Sequence, residues 1–131
     1  MRRIFYYDTN MKFRNGEDPE IVCPGSLDES IRLVREEDFH LIGIDAASKD
    51  ALEFATSIKD CGYKIIIFAT RRYYVLGSLY DGRTPAEEKV INAMGKHALA
   101  IHDRSLKTRK NLKTLIDFLN KVMPEESVQL E

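Results

Sequence analysis

The chain has little of what disulfide-rich, membrane-spanning or cysteine-based metal proteins depend on. It has 131 residues, no tryptophan and two cysteines, and Cys23 and Cys61 have neither C-x-x-C spacing nor a histidine cluster nearby. Both thiols are therefore interpreted as small apolar residues near the ends of secondary-structure elements. No apolar run is long enough to cross a bilayer. We expect neither a disulfide framework nor a membrane segment.

Strong charge of either sign is also absent. There are 20 Lys and Arg residues against 21 Asp and Glu residues, a net charge of −1. No global field then favours nucleic acid or an acidic membrane as a partner, and we expect neither. Met1-Arg2-Arg3 leads directly into a strand pattern, without the apolar region of a signal peptide. These features predict a cytoplasmic protein.

Short apolar runs dominate what is present. Continuous apolar runs of four to eight residues are typical of strands in a parallel sheet, because helices cover both faces of such a sheet. The predicted strands are Arg3–Asp8, Glu20–Cys23, His40–Asp45, Lys64–Thr70 and His97–Ile101. The length and the 44% hydrophobic content predict one domain, residues 1–123, followed by an acidic, frayed tail, residues 124–131.

Helical patterns alternate with these strands. Predicted helix starts lie at Ser26, where Glu29 completes a capping box, at Ser48, and at Thr84, where Glu87 completes a second box. A last helix is predicted to bury one face, formed by Leu112, Leu115, Ile116, Leu119, Val122 and Met123. The alternation predicts an α/β fold: a flavodoxin-like, doubly wound, five-stranded parallel sheet of order 2-1-3-4-5 in three αβα layers.

Two connections in this scheme are unusual. Residues 9–19 contain too few apolar side chains for a core helix, so the first helix is predicted to be reduced or missing. That would leave apolar surface beside the first strand, and such surface commonly marks an interface, so we expect a protein partner or a homodimer there. Residues 71–83 form a long connection, which predicts a functional loop or a small hairpin.

Polar residues end three of the predicted strands. Asp8, Asp45 and Thr70 each follow an apolar run, and ligands of open α/β sheets bind outside the carboxyl ends of the strands. The three side chains are therefore a candidate site. The alternative is that each simply ends a strand where the chain meets water.

Residues 20–45, 49–59 and 64–70 resemble the receiver domain of response regulators. The most specific part is Asp at the end of strand three followed by Thr at the end of strand four. The resemblance implies that Asp45 is the phosphoacceptor, that Asp8 is the first of an acidic pair, and that Thr70 contacts the phosphoryl group. The implied function is signalling or regulation through protein contacts.

The chain departs from the family at several positions. Thr9 replaces the second acidic residue, His102 or Arg104 stands where the family has lysine, and Asp103 stands where it has proline. The resemblance thus implies a weak Mg²⁺ site at Asp8 and Asp45, with no other cofactor, and a divergent or pseudo-receiver. Arg104 could supply the counter-charge that the lysine gives.

Two other functions stay open. Asp8-Thr9-Asn10 resembles the opening of PIN-type nucleases, which would make the chain a Mg- or Mn-dependent hydrolase using Asp8 and Asp45. A small-molecule site would have to use residues 71–83, because the chain has neither a G-x-G-x-x-G motif nor a P-loop.

Overall fold

The computed structural model describes residues 3–9, 21–104 and 113–114, and all structural statements below concern these residues. The strands are β1 Ile4–Tyr7, β2 Ile21–Val22, β3 Leu41–Asp45, β4 Ile65–Ala69, β5 Arg72–Val75, β6 Ser78–Asp81 and β7 Ala98–Asp103. The helices are α1 Leu27–Glu36, α2 Ala51–Ile58 and α3 Pro85–Met94. Short 3₁₀ turns follow α2 and α3.

Five strands form one all-parallel sheet in the order β2-β1-β3-β4-β7. Counted among the sheet strands alone, this is the order 2-1-3-4-5, and the predicted flavodoxin-like fold is confirmed. The register between neighbours is regular except for a shift between Ile65 and Ile66, where β7 pairs with β4. The carboxyl ends of β1, β3, β4 and β7 consequently meet at one edge of the sheet.

The long connection after β4 contains the small hairpin that its length predicts. Strands β5 and β6 pair antiparallel, and Leu76-Gly77 forms the turn between them. Both turn residues have positive φ, which Gly77 adopts without the steric cost that Leu76 meets. Leu76 is fully exposed at the tip.

Two of the three predicted helix starts are observed, but only one of the two predicted capping boxes forms. Thr84 and Glu87 form the predicted capping box at the start of α3. Ser26 precedes α1 as predicted but makes no side-chain cap, and Glu29, the other member of the predicted capping box, pairs with Arg32. The structure also places the start of α2 at Ala51, with Asp50 before it in a left-handed conformation, so the prediction that Ser48 caps this helix is wrong.

The sheet has two apolar faces with different neighbours. Side chains of β1, β3 and β4 alternate between the faces, because strand residues point up and down in turn. One face packs with all three helices, for example through Tyr7, Ile44, Phe54 and Met94. The other face forms a second buried cluster, to which none of the described helices contributes: Ile4, Tyr6, Ile21, Cys23, Leu41, Ile66 and Phe68.

The second cluster bears on the predicted open face. Its apolar residues beside β1 are buried, so the described part of this face does not carry the exposed apolar surface expected there. The segment predicted to hold a reduced first helix or none, most of the predicted last helix and the predicted tail lie outside the described residues. Of the predicted last helix, the described residues Lys113 and Thr114 are helical and exposed. No helix among residues 3–9, 21–104 and 113–114 is long and apolar enough to span a membrane.

Candidate functional site

The alternation of side chains along the strands brings polar groups together on the sheet face of the second cluster, at the carboxyl ends of the strands. Asp8 follows Tyr6 by two positions, and Asp45 follows Gly43 by two, so both carboxylates lie on the face of the second cluster. Both residues are fully buried. Buried carboxylates must be paired or hydrogen-bonded, so their partners define what the site can do.

Arg104 is the charged partner of Asp45. Its Nε donates to Asp45 Oδ1 at 2.8 Å and its Nη2 donates to Oδ2 at 3.3 Å, a two-pronged contact that matches guanidinium to carboxylate. Arg104 follows β7, and β4 lies between β7 and β3, so the side chain reaches across one strand. The hydrogen bond to Asp45 raises the pKa of Arg104, against the effect of burial.

Asp8 is held by the loop that follows β3. Ser48 Oγ donates to Asp8 Oδ1 at 3.0 Å and accepts from the backbone N–H of Thr9, also at 3.0 Å. The Lys49 N–H donates to Thr9 Oγ1 at 3.2 Å. Thr9, the neutral replacement in the acidic pair, thus ties the two loops together.

The donor set does not fit Mg²⁺ as it stands. A divalent cation prefers several carboxylate oxygens, but both oxygens of Asp45 face the guanidinium of Arg104. The described residues contain no group of three or more metal-ligating side chains. A cation at Asp45 would have to displace the fixed positive charge of Arg104, and weak Mg²⁺ binding at Asp8 and Asp45 stays a prediction.

Thr70 directly follows β4 beside this site, but its hydroxyl is bonded elsewhere. Thr70 Oγ1 donates to Glu87 Oε1 at 3.0 Å, and the Thr70 N–H donates to Glu87 Oε2 at 2.6 Å. Burial opposes the ionised form of Glu87, yet hydrogen bonds from Thr70 and Thr84 outweigh it and hold the pKa of Glu87 below its ordinary value. Arg83 Nε also donates to the Thr70 carbonyl at 2.8 Å.

His102 lies in β7 on the same face as Phe68, with the two ring centroids 6.0 Å apart. Of the two residues that could replace the family's lysine, Arg104 is the one bonded to Asp45. The structure therefore brings Asp8, Asp45 and Arg104 to one edge, with His102 on β7, two strands from Asp45. Thr70 lies at that edge with its hydroxyl donated to Glu87.

The ring of Tyr6 lies over Gly43, which has no side chain to exclude it. A Cβ on Gly43 would lie 2.8 Å from Tyr6 Cδ1 and 3.2 Å from Phe68 Cε2, so the tyrosine ring lies across the glycine. The ring meets Phe68 edge-on with centroids 5.5 Å apart, and Phe68 is the β4 partner of Asp45. The ring is thereby aimed towards the carboxyl end of the sheet.

Sequence reasoning missed four contributors: Ser48, Tyr6, Gly43 and Glu87. The signal for Tyr6 and Gly43 was available, since each lies two positions before an acidic residue and therefore on its face. The signal for Glu87 was its capping box, which was interpreted only as a helix start. The sequence predicts Ser48 only as a helix start, and nothing in the sequence links its hydroxyl to Asp8.

Comparison of the chain with protein-family models, with curated proteins and with solved structures found no match. The functional argument therefore depends on the geometry of this edge of the sheet.

Proposed function

We propose that this chain is a receiver-like regulatory domain that acts through protein contacts in the cytoplasm, with Asp45 as its phosphoacceptor. The observation that supports this most directly is the Arg104–Asp45 pair. It places a guanidinium on the carboxylate that ends the central strand, where the counter-charge of a phosphorylated aspartate is required.

The proposed chemistry is a simple displacement. An oxygen of Asp45 attacks the phosphorus of a small acyl phosphate, a new O–P bond forms, and the bond from phosphorus to the leaving carboxylate breaks. Asp45 changes from a singly charged carboxylate into an acyl phosphate with further charged oxygens. The donors of Arg104 that now hold Asp45 would then hold the phosphoryl oxygens.

The site is incomplete, and this shapes the expected behaviour. The guanidinium of Arg104 is bonded to both oxygens of Asp45, and the Thr70 hydroxyl donates to Glu87. Both contacts must rearrange before a phosphoryl group can be held. Phosphorylation should be slow, and any regulatory signal should appear as a movement of Arg104 and of the end of β7.

Intact-mass measurement after incubation with acetyl phosphate, with and without Mg²⁺, tests the phosphoacceptor. The wild type should gain the mass of one phosphoryl group, and Asp45→Asn should gain none. Asp81→Asn is the matched control, because Asp81 is an exposed carboxylate on the hairpin. No gain by the wild type, or an equal gain by Asp45→Asn, would refute the assignment.

The protein contact is proposed at the edge strand β7, with a second copy of the chain as the partner. Leu99 is 62% exposed and Ile101 is 42% exposed, and residues 98–101 carry no charge that would keep another strand away. An antiparallel pairing of two β7 strands is self-complementary about a two-fold axis. The opposite edge strand, β2, has two buried residues and offers less surface.

Sedimentation velocity tests this contact. The wild type should contain dimer at tens of micromolar, and Leu99→Lys should be monomeric. Leu76→Lys is the control, since Leu76 is fully exposed at the hairpin tip and should leave the dimer intact. A monomeric wild type would show that the proposed dimer does not form. A dimer lost only in Leu76→Lys would show that the contact lies at the hairpin and not at β7.

A further inference from the structure

The hydroxyl of Tyr6 is a buried hydrogen-bond donor that has no partner among the residues that the structure describes. The residue is fully buried. Nearly all buried polar groups in proteins are satisfied, because an unsatisfied one costs about 1–3 kcal/mol, so each exception needs a physical explanation. One explanation is an acceptor that is present only in a functional state.

The surroundings of this hydroxyl identify the acceptor's location. The ring crosses Gly43 and meets Phe68, which pairs with Asp45 in the sheet. Burial, then the charge of Asp45, then that of Asp8 raise the pKa of Tyr6 well above its ordinary value. The group is therefore a neutral phenol, able to donate, and among the charged groups Asp45 has the largest effect on it.

Tyr7 provides the internal contrast. It is the next residue of β1, points to the opposite face, and donates its hydroxyl to the Lys49 carbonyl at 2.7 Å. Two adjacent tyrosines of one strand thus differ in whether the hydroxyl has an acceptor. The hydroxyl on the helix-covered face has an acceptor, and the hydroxyl on the face of Asp8 and Asp45 has none among the described residues.

We propose that the Tyr6 hydroxyl donates a hydrogen bond to a phosphoryl oxygen carried by Asp45. The inference rests on the proposed phosphoacceptor role of Asp45 and adds a second donor beside Arg104. A phosphoryl group on Asp45 extends beyond the carboxylate and brings additional acceptor oxygens to this face, whereas a free phosphate would meet the negative charge of Asp45 itself. The ligand class is accordingly an acyl phosphate.

Beryllofluoride, a tetrahedral phosphoryl mimic that binds a carboxylate oxygen, is the probe. Backbone amide spectra of the wild type, Tyr6→Phe and Tyr7→Phe are followed as the mimic is added. The loss of one hydrogen bond to a charged acceptor should weaken binding to Tyr6→Phe about tenfold or more. Binding to Tyr7→Phe should match the wild type, and inorganic phosphate alone should shift nothing.

Unfolding by denaturant, without any probe, gives a second and independent readout. Tyr6→Phe keeps the ring and removes an unsatisfied group, so its stability should equal or exceed that of the wild type. Tyr7→Phe loses a made hydrogen bond and should lose about 1 kcal/mol. If Tyr6→Phe is destabilised as much as Tyr7→Phe, the hydroxyl already has a partner, such as a buried water, and the inference is overturned.

The two readouts separate the possible failures. A wild type that does not bind beryllofluoride refutes Asp45 as phosphoacceptor and with it the acceptor named for Tyr6. A wild type that binds it as tightly as Tyr6→Phe does refutes the role of Tyr6 alone. Tighter binding of inorganic phosphate than of the mimic would instead identify a free anion as the ligand.

Discussion

Asp45, the last residue of β3, and Glu87, in the first turn of α3, are two of the buried carboxylates at the carboxyl end of this sheet, and they are stabilised differently. Asp45 is paired with a cation that lies 59 positions away and is one third exposed. Glu87 accepts uncharged donors, from Thr84 three positions away and from Thr70 seventeen away.

The difference indicates which carboxylate can change state. The partners of Glu87 belong to a helix cap and a strand end, so they are fixed by the elements that they terminate. The partner of Asp45 is a long side chain beyond the end of an edge strand, which can turn away without breaking an element. A charge-paired carboxylate with a movable partner suits a regulatory site, and a capped carboxylate suits a structural one.

Removing the cation should give the largest effect. Arg104→Met leaves Asp45 buried without its fork and should lower the free energy of unfolding by about 3 kcal/mol, measured by urea denaturation. The double variant Asp45→Asn with Arg104→Met should recover much of this loss, because no unpaired charge remains.

Arg32→Met is the matched control for this change. Arg32 forms ion pairs with Glu29 and Glu36 on the exposed face of α1, and such surface pairs contribute less than about 1 kcal/mol. Equal losses in Arg104→Met and Arg32→Met would show that the Asp45 pair has no special role.

Glu87 should show a smaller effect that depends on pH. Glu87→Gln loses an ionised acceptor for the Thr70 and Thr84 donors and should cost about 1–3 kcal/mol at pH 7. Because the folded state lowers the pKa of Glu87 below 4.5, its stabilisation is present above that pH and is lost as the pH falls through the folded pKa.

The measurement is urea unfolding of the wild type and Glu87→Gln from pH 7 to acid. The difference in the free energy of unfolding between the wild type and Glu87→Gln should decrease below about pH 4.5. Glu88→Gln, on the more exposed side of the same helical turn, should cost less than about 0.5 kcal/mol at neutral pH. A difference in unfolding free energy that stays constant from pH 7 to acidic pH would contradict the assignment of Glu87 as an ionised, hydrogen-bonded group.

Much of the fold could be predicted because its signals are local. Apolar runs such as His40–Asp45 identified the strands, and Thr84 and Glu87 marked a helix start. The length of residues 71–83 predicted a functional loop or a small hairpin, and the structure contains the hairpin. The errors were also local in origin. Ser26 and Ser48 have side chains that commonly cap helices. In the structure, however, Glu29 of the predicted Ser26 box accepts from Arg32, and the Ser48 hydroxyl donates to Asp8.

The sequence by itself determined the alternation of strands and helices, the parallel sheet and the placement of Asp8 and Asp45 at strand ends, because a run of apolar residues and a period of two are properties of the chain. Only the tertiary structure decided that Arg104 crosses a strand to Asp45, that Thr70 donates to Glu87 and that Tyr6 lies across Gly43 with its hydroxyl buried and without a partner among the described residues. Those contacts join residues 17 to 59 positions apart, and side-chain reach across a sheet depends on which strands become neighbours and on which residue leaves room.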